Sequence, residues 1–256
     1  MQNYKKRLGQ HFLHDNNIIK KIIMSVQPKE NDHFLEIGPG EGALTNPMLD
    51  IIENITLIEK DKDLIPFLKN QYHQYNKVKI LHADILKCHL ADYMSHGIRV
   101  IGNLPYNIST EIIFKMVSVS SKVQDMHFML QKEVVDRIVA GPGSKTYGRL
   151  SVMAQVYFNT TKLFDISPNV FTPKPKVQSS YIRMIPKSSV FTNNIYENNF
   201  RKLVTKVFTA RRKMIKTSLK DHINESVLKN LSINPSSRPE VLTIADFLEI
   251  AKYVQN

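Results

Sequence analysis

Short apolar runs alternate with longer amphipathic stretches over the first two-thirds of the chain. The runs His33–Ile37, Ile55–Glu59, Val78–His82, Arg99–Gly102, Met126–Leu130 and Ser180–Ile185 predict strands. Helical spacing predicts helices near 15–26, 42–50, 62–72, 109–119, 131–139 and 148–158. Such alternation predicts a doubly wound α/β sheet, because parallel neighbours need a crossover helix between them. Ser180–Ile185 reads as a late strand of that sheet. Pro168, Pro173, Pro175 and Pro186 remove backbone donors and disfavour helix in the residues before them, so 167–176 is expected to be an ordered, irregular loop. Beyond Pro186 the pattern turns helical. Leu203, Val204, Val207 and Phe208 form one stripe, with Lys202, Lys206 and Lys213 beside it. Ser236-Ser237-Arg238-Pro239-Glu240 has the form of a helix start. The expected division is 1–186, an α/β domain, and 187–256, a small helical domain.

Composition narrows the classes. With 256 residues the chain can bury the cores of one large or two modest domains. A single cysteine, Cys88, allows no intrachain disulfide and fits a reducing, cytoplasmic setting. No apolar stretch approaches the ~18 residues of a membrane span, and the N-terminal residues lack the apolar core of a secretory signal. The nine histidines show no metal-ligand spacing, so a zinc site is not expected. Charge is more informative: 35 Lys and Arg against 23 Asp and Glu give +12, which suggests a polyanionic partner such as nucleic acid. Half of that excess falls in 187–256, and 198–220 carries eight Lys or Arg and no acid.

The first chemical signal is Gly38-Pro39-Gly40-Glu41-Gly42, between an apolar strand and a helix. Glycines there permit a tight turn and a close approach of backbone amides to a ligand. The spacing also fits a relaxed dinucleotide pattern, so the loop alone leaves NAD and S-adenosylmethionine both open. Glu59 ends the next strand 19 residues after Gly40, where a carboxylate can accept from ribose hydroxyls; Asp84 follows the third strand, where one can accept from an adenine amino group.

Asn103-Leu104-Pro105-Tyr106, at the end of the fourth strand, is the most informative tetrapeptide. An exocyclic adenine amine is a poor nucleophile because its lone pair is delocalised into the ring. Acceptors on both N–H groups favour a nitrogen whose lone pair faces a methyl donor. The Asn103 side-chain oxygen and the Leu104 carbonyl, held by Pro105, suit that task, and Tyr106 offers a stacking surface worth roughly 1–3 kcal/mol. No strong general base is required, and alignment can supply up to ~7–11 kcal/mol.

The run Asn103-Leu104-Pro105-Tyr106-Asn107-Ile108-Ser109-Thr110 resembles the bacterial small-subunit ribosomal RNA adenine dimethyltransferases. Gly9–Leu13, Phe128–Glu133, Tyr147–Val152 and Phe171–Val177 share that resemblance, which covers nearly the whole chain. It implies a Rossmann-like S-adenosylmethionine-dependent methyltransferase sheet with a small α-helical C-terminal domain. The implied activity is N6,N6-dimethylation of two adjacent adenosines near the 3′ end of small-subunit (16S) rRNA, on an immature small subunit, by a cytoplasmic monomer. His11 and Leu13 would line the cofactor pocket, Gly38 and Gly40 approach the methionine part, Glu59 the ribose and Asp84 the adenine. Asn103 would touch both cofactor and target amine, with Leu104 and Pro105 beside it; Tyr106 and Phe171 would stack the target base. Position 11 is often Asn in this family and is His here, which implies a cofactor affinity that changes through the histidine titration range.

Arg211, Arg212, Lys213, Lys216 and Lys220 are the candidate phosphate contacts, and Lys5-Lys6-Arg7 a second basic group. Three other readings stay open: a large-subunit resistance methyltransferase on the same architecture, a non-catalytic RNA-binding assembly factor, and a nicotinamide oxidoreductase.

Overall fold

The computed structural model describes residues 10–254; Lys5-Lys6-Arg7 and Gly9 lie outside the described residues. In chain order the elements are β1 (Phe12–Leu13), α1 (Asn16–Val26), β2 (His33–Ile37), α2 (Thr45–Leu49), β3 (Asn54–Glu59), α3 (Leu64–Gln71), β4 (Val78–His82), β5 (Ile98–Asn103), α4 (Ser109–Val117), β6 (Val123–Gln131), α5 (Lys132–Ile138), α6 (Arg149–Tyr157), β7 (Phe158–Ile166), β8 (Phe171–Thr172), β9 (Ser179–Pro186), α7 (Asn194–Thr209), α8 (Ile215–Leu219), α9 (Glu225–Asn230) and α10 (Ile244–Ala251). The six strands and six helices expected over the first two-thirds are all present, with shifted ends.

Within the described residues the long strands form one sheet in the order β4-β3-β2-β5-β6-β9-β7. β2, β3, β4, β5 and β6 run parallel to one another; the apolar side chains of β2, β3, β5 and β6 are buried on both faces, as inner parallel strands require, whereas those of the edge strand β4 are only partly buried. β9 joins the sheet where a late strand was expected, but antiparallel to β6. β7 was not foreseen. Its Asn159, Thr160, Thr161 and Lys162 are polar, it takes the end position in the sheet, and it follows α6 with no Gly or Pro between. β1 and β8, two residues each, pair antiparallel with Leu13 opposite Phe171.

The contacts divide the chain into two compact units. The first runs to Val135 and resumes at Thr161–Pro186; the second takes Asp136–Thr160 together with the chain from Lys187 onward. The break at 186 coincides with the one expected, whereas 136–160 group with the helical unit, where α6 packs with α7 and α10. Inside that unit Phe200, Leu203, Val204 and Val207 of α7 are buried, and the Tyr147 hydroxyl donates to the Leu242 carbonyl at 3.0 Å.

At the lower end of the first unit's sheet, the buried Arg99 gathers several elements. Its Nε and Nη2 donate to both oxygens of Asp125 (2.8 and 2.9 Å), Nη1 to Asp32 (2.8 Å) and Nη2 to the Val26 carbonyl (2.7 Å) at the end of α1. Asp125 also meets His127 Nε2 at 3.2 Å. Burial alone would raise the Asp125 carboxyl, but His127 and Arg99 outweigh it and hold it well below the usual carboxylate range. Arg99→Ala leaves Asp125 buried without its main partner, and a loss of about 3–5 kcal/mol is expected in chemical denaturation. A change below about 1 kcal/mol contradicts that role.

Candidate active site

From β2 the chain steps outward through β3 and β4, then returns to β5 on the other side of β2. That reversal separates the loops leaving β2 and β5 and opens a crevice at their carboxyl ends, the usual ligand position in such sheets. A cleft lies there, lined from the ends of β2, β3, β4 and β5 and from β1.

Gly38, Gly40 and Gly42 in the loop after β2 all have left-handed φ, and the first two line the cleft. Gly38 has φ +67°, and a Cβ there would meet no protein atom within 4 Å, so its cleft side stays open to a ligand. Gly40 has φ +59°, and a Cβ would stand 3.0 Å from the Phe12 ring. Glu59 closes the floor. One of its oxygens accepts from the Asp61 amide (2.7 Å) and the other from the Gly40 amide (3.4 Å). Burial raises its carboxyl, against the pull of those amides. Asp84 sits beside the cleft, whose lining takes in its neighbours Ala83 and Ile85 but not Asp84 itself. Its Oδ2 pairs with Lys60 Nζ (2.8 Å) and its Oδ1 accepts from the Leu86 amide (3.0 Å). Burial pushes this carboxyl up, but Lys60, the Leu86 amide and Lys87 prevail and hold it below its ordinary value.

The opposite wall is the Asn103–Tyr106 turn. Asn103 Nδ2 donates to the His11 carbonyl at 2.7 Å. A carbonyl can only accept, so this bond fixes which end of the amide is nitrogen and leaves Oδ1 as the acceptor. The Leu104 amide donates to the Met129 carbonyl (3.1 Å), tying the turn to β6. The His11 ring stacks on Tyr106, with centroids 5.4 Å apart and planes at 29°. His11 Nδ1 donates to the Pro173 carbonyl (2.6 Å), which binds the N-terminal segment to the proline loop. The Tyr106 and Ser179 hydroxyls share a 2.6 Å hydrogen bond.

His11, Leu13, Gly38, Gly40, Glu59, Asn103, Leu104, Pro105 and Tyr106 thus meet around one cleft. Phe171 does not join them. It is 2% exposed, pairs with Leu13 and packs in the hydrophobic core with Val170 and Tyr181, outside the lining. Besides Glu41 of the glycine loop, two charged lining residues escaped the sequence reading. Lys60 is one. The other is Glu36, buried within β2 and accepting from Thr45 Oγ1 at 2.6 Å. An acid two positions before the first glycine was its only signal, and in a strand of apolar residues it was passed over.

In the second unit Arg211, Arg212, Lys213 and Lys216 lie on the turn between α7 and α8 and at the start of α8. Arg212, Lys213 and Lys220 are exposed. Arg211 is occupied otherwise: Nε pairs with Glu240 (2.9 Å) and Nη2 donates to the Lys145 carbonyl (2.9 Å). Lys216 approaches Glu225 at 3.6 Å. Neither acid lies within the acid-free stretch, so only the folded chain brings them there. Among the described residues no three His, Cys, Asp or Glu side chains are grouped to hold a metal ion, and no helix is long and apolar enough to cross a membrane.

The family model for ribosomal RNA adenine dimethylase matches residues 1–256. The chain belongs to this family. A ribosomal RNA small subunit methyltransferase A from Coxiella burnetii is 44% identical over 248 residues, 96% of each chain. The structure of a dimethyladenosine transferase from Plasmodium falciparum superposes with a TM-score of 0.82 at 26% identity, covering 94% of this chain and 96% of that one. The 23S rRNA methyltransferase ErmE, at TM-score 0.72 and 21% identity over 96% of this chain and 100% of its own, shares the fold. As a ribosomal RNA adenine dimethylase the chain is a methyltransferase acting on rRNA adenines, with S-adenosylmethionine as methyl donor. Its cleft fits that donor: open space over Gly38, a buried carboxylate in Glu59, and an apolar lining that includes Ile37, Leu44 and Ile58.

Burial pushes the Glu36 carboxyl up from 4.5 to about 7, opposed by the Thr45 hydrogen bond and reinforced by the charge of Glu59. A raised carboxyl favours the protonated folded state. Its stabilisation is therefore complete below the unfolded value and is lost as pH rises through about 7. Glu36→Gln is expected to flatten the fall in urea midpoint between about pH 5 and pH 8 relative to the native chain. Parallel pH profiles for the two proteins contradict the assignment.

Proposed function

We propose that the chain transfers methyl groups to the N6 amines of two adjacent adenosines near the 3′ end of small-subunit rRNA. The substrate is an immature small subunit, and the enzyme works as a cytoplasmic monomer. The observation that carries this reading is the amide of Asn103. Its nitrogen is held by the His11 carbonyl, so its oxygen is the end available to accept an amine N–H. The Leu104 carbonyl is the second acceptor, and Pro105 limits the freedom of the turn. Tyr106 gives the base a stacking surface at the cleft wall. Phe171, enclosed in the core, is assigned no stacking role.

In this reading Gly38, Gly40, Glu59, Asp84, His11, Leu13 and Asn103 hold S-adenosylmethionine, which supplies a methyl group on a sulfonium. Ribose hydroxyls suit the Glu59 carboxylate, and an adenine amine suits Asp84. The chain's own contribution is alignment and exclusion of water, because the amine gives up its proton without a strong base. The second unit binds RNA phosphates through Arg212, Lys213 and Lys220, with Lys216 at the edge and Arg211 holding the turn in shape. Such contacts give affinity with little sequence choice, leaving selection to unpaired adenines.

The test is transfer of labelled methyl groups to small subunits that lack these modifications, followed by nucleoside analysis. The expected product is N6,N6-dimethyladenosine in small-subunit rRNA. Label in large-subunit rRNA indicates the resistance-type specificity, and no label with intact RNA binding indicates an assembly factor. Tyr106→Ala is expected to lower turnover by about fivefold to 150-fold, since stacking is worth roughly 1–3 kcal/mol. Unchanged turnover contradicts the stacking role. Neutralising Arg212 and Lys213 together is expected to lower the slope of log K against log salt by about 1–2 for RNA binding; an unaltered slope contradicts the phosphate assignment.

A further inference from the structure

We propose that Ser179 is a positioning residue for methyl transfer, fixing the ring of Tyr106 through the hydroxyl–hydroxyl bond between them. The inference rests on the stacking role given to Tyr106 above. That role uses only the ring, and methyl transfer to an amine asks nothing of a phenol. Yet the Tyr106 hydroxyl does not face open solvent: it lies 2.6 Å from Ser179 Oγ. Burial raises this phenol above its ordinary value, so it stays protonated and can serve as a neutral hydrogen-bonding end.

Ser179 is fully buried, and burying a hydroxyl is costly unless it is bonded. It begins β9 opposite Gln131, the last residue of β6, and the adjoining Lys132 amide donates to the Gln178 carbonyl at 2.9 Å. The next residue, Ser180, points to the other face of the strand. Its hydroxyl donates to Asp165 of β7 at 2.5 Å, and Asp165 also pairs with Lys162 at 2.7 Å and Lys132 at 3.4 Å. Ser179 therefore offers its hydroxyl from a strand end held on both sides. A tyrosine ring turns about a broad torsional minimum. Tethered at its far end to β9 and stacked against His11, this one is held at two points.

The test is a double-mutant cycle with Tyr106→Phe and Ser179→Ala on methyl transfer to small-subunit rRNA. Tyr106→Phe keeps the ring and the fold and removes only the tether. Each single variant is expected to lower kcat by about tenfold, with the KM for RNA and the Kd for S-adenosylhomocysteine changed by less than about twofold. The double variant should be no slower than either single one, because both remove the same bond. Native kcat in either single variant, or losses that multiply in the double variant, overturns the proposal. A loss shared equally by KM, Kd and thermal stability also overturns it, as a merely structural effect. In each of those cases native methylation still stands; a native chain that methylates no small-subunit rRNA fails the functional reading instead.

Discussion

The bond from the Asn103 amide to the His11 carbonyl joins the two parts of the chain that the cleft requires. Asn103 ends β5, a strand set by the buried sheet, whereas His11 precedes β1, a strand of two residues with little hold of its own. With the bond made, the N-terminal segment becomes a wall of the cleft and the asparagine oxygen has one orientation. Without it, an amide can turn over and present a donor where an amine needs an acceptor. His11 is itself held by the Pro173 carbonyl and by the Tyr106 ring, so both the cofactor wall and the stacking wall depend on one short segment.

The sheet sets the rest. Its order reverses between β2 and β5, and the cleft is lined from the strand ends, the turns that follow them and the N-terminal segment through β1. Two carboxylates, Glu36 and Glu59, are buried at this end and are raised by burial. The opposite end holds Asp125 with Arg99, where partners keep the carboxylate charged. The cleft end therefore disfavours the charged form of its carboxyls, and the lower end uses ionised groups to hold α1, β5 and β6 together.

Much of this was legible beforehand because parallel strands are buried on both faces and read as apolar runs, as Phe34–Ile37 and Ile55–Ile58 do. The strand ends then named Gly38, Glu59 and Asn103 in order. What escaped depended on pairing across the chain. β7 carries polar residues suited to the end of a sheet, and β9 has the same apolar look whether parallel or antiparallel. Phe171 lies in a motif but packs inward against Leu13 and Val170. Arg211 looked like one more member of a cationic run until Glu240, 29 positions away, proved to be its partner. Glu36 was hidden by its apolar neighbours, and Ser179 by having no motif of its own.

Asn103→Asp is the substitution closest to the centre of this account. It keeps size and shape, removes the N–H that meets the His11 carbonyl and sets an oxygen against it. In single-turnover methyl transfer with a folded variant, the rate is expected to fall by about a hundredfold or more, the scale for losing one oriented polar group at a reacting centre. A rate within about threefold of the native chain would mean that the orientation of this amide does not govern the reaction.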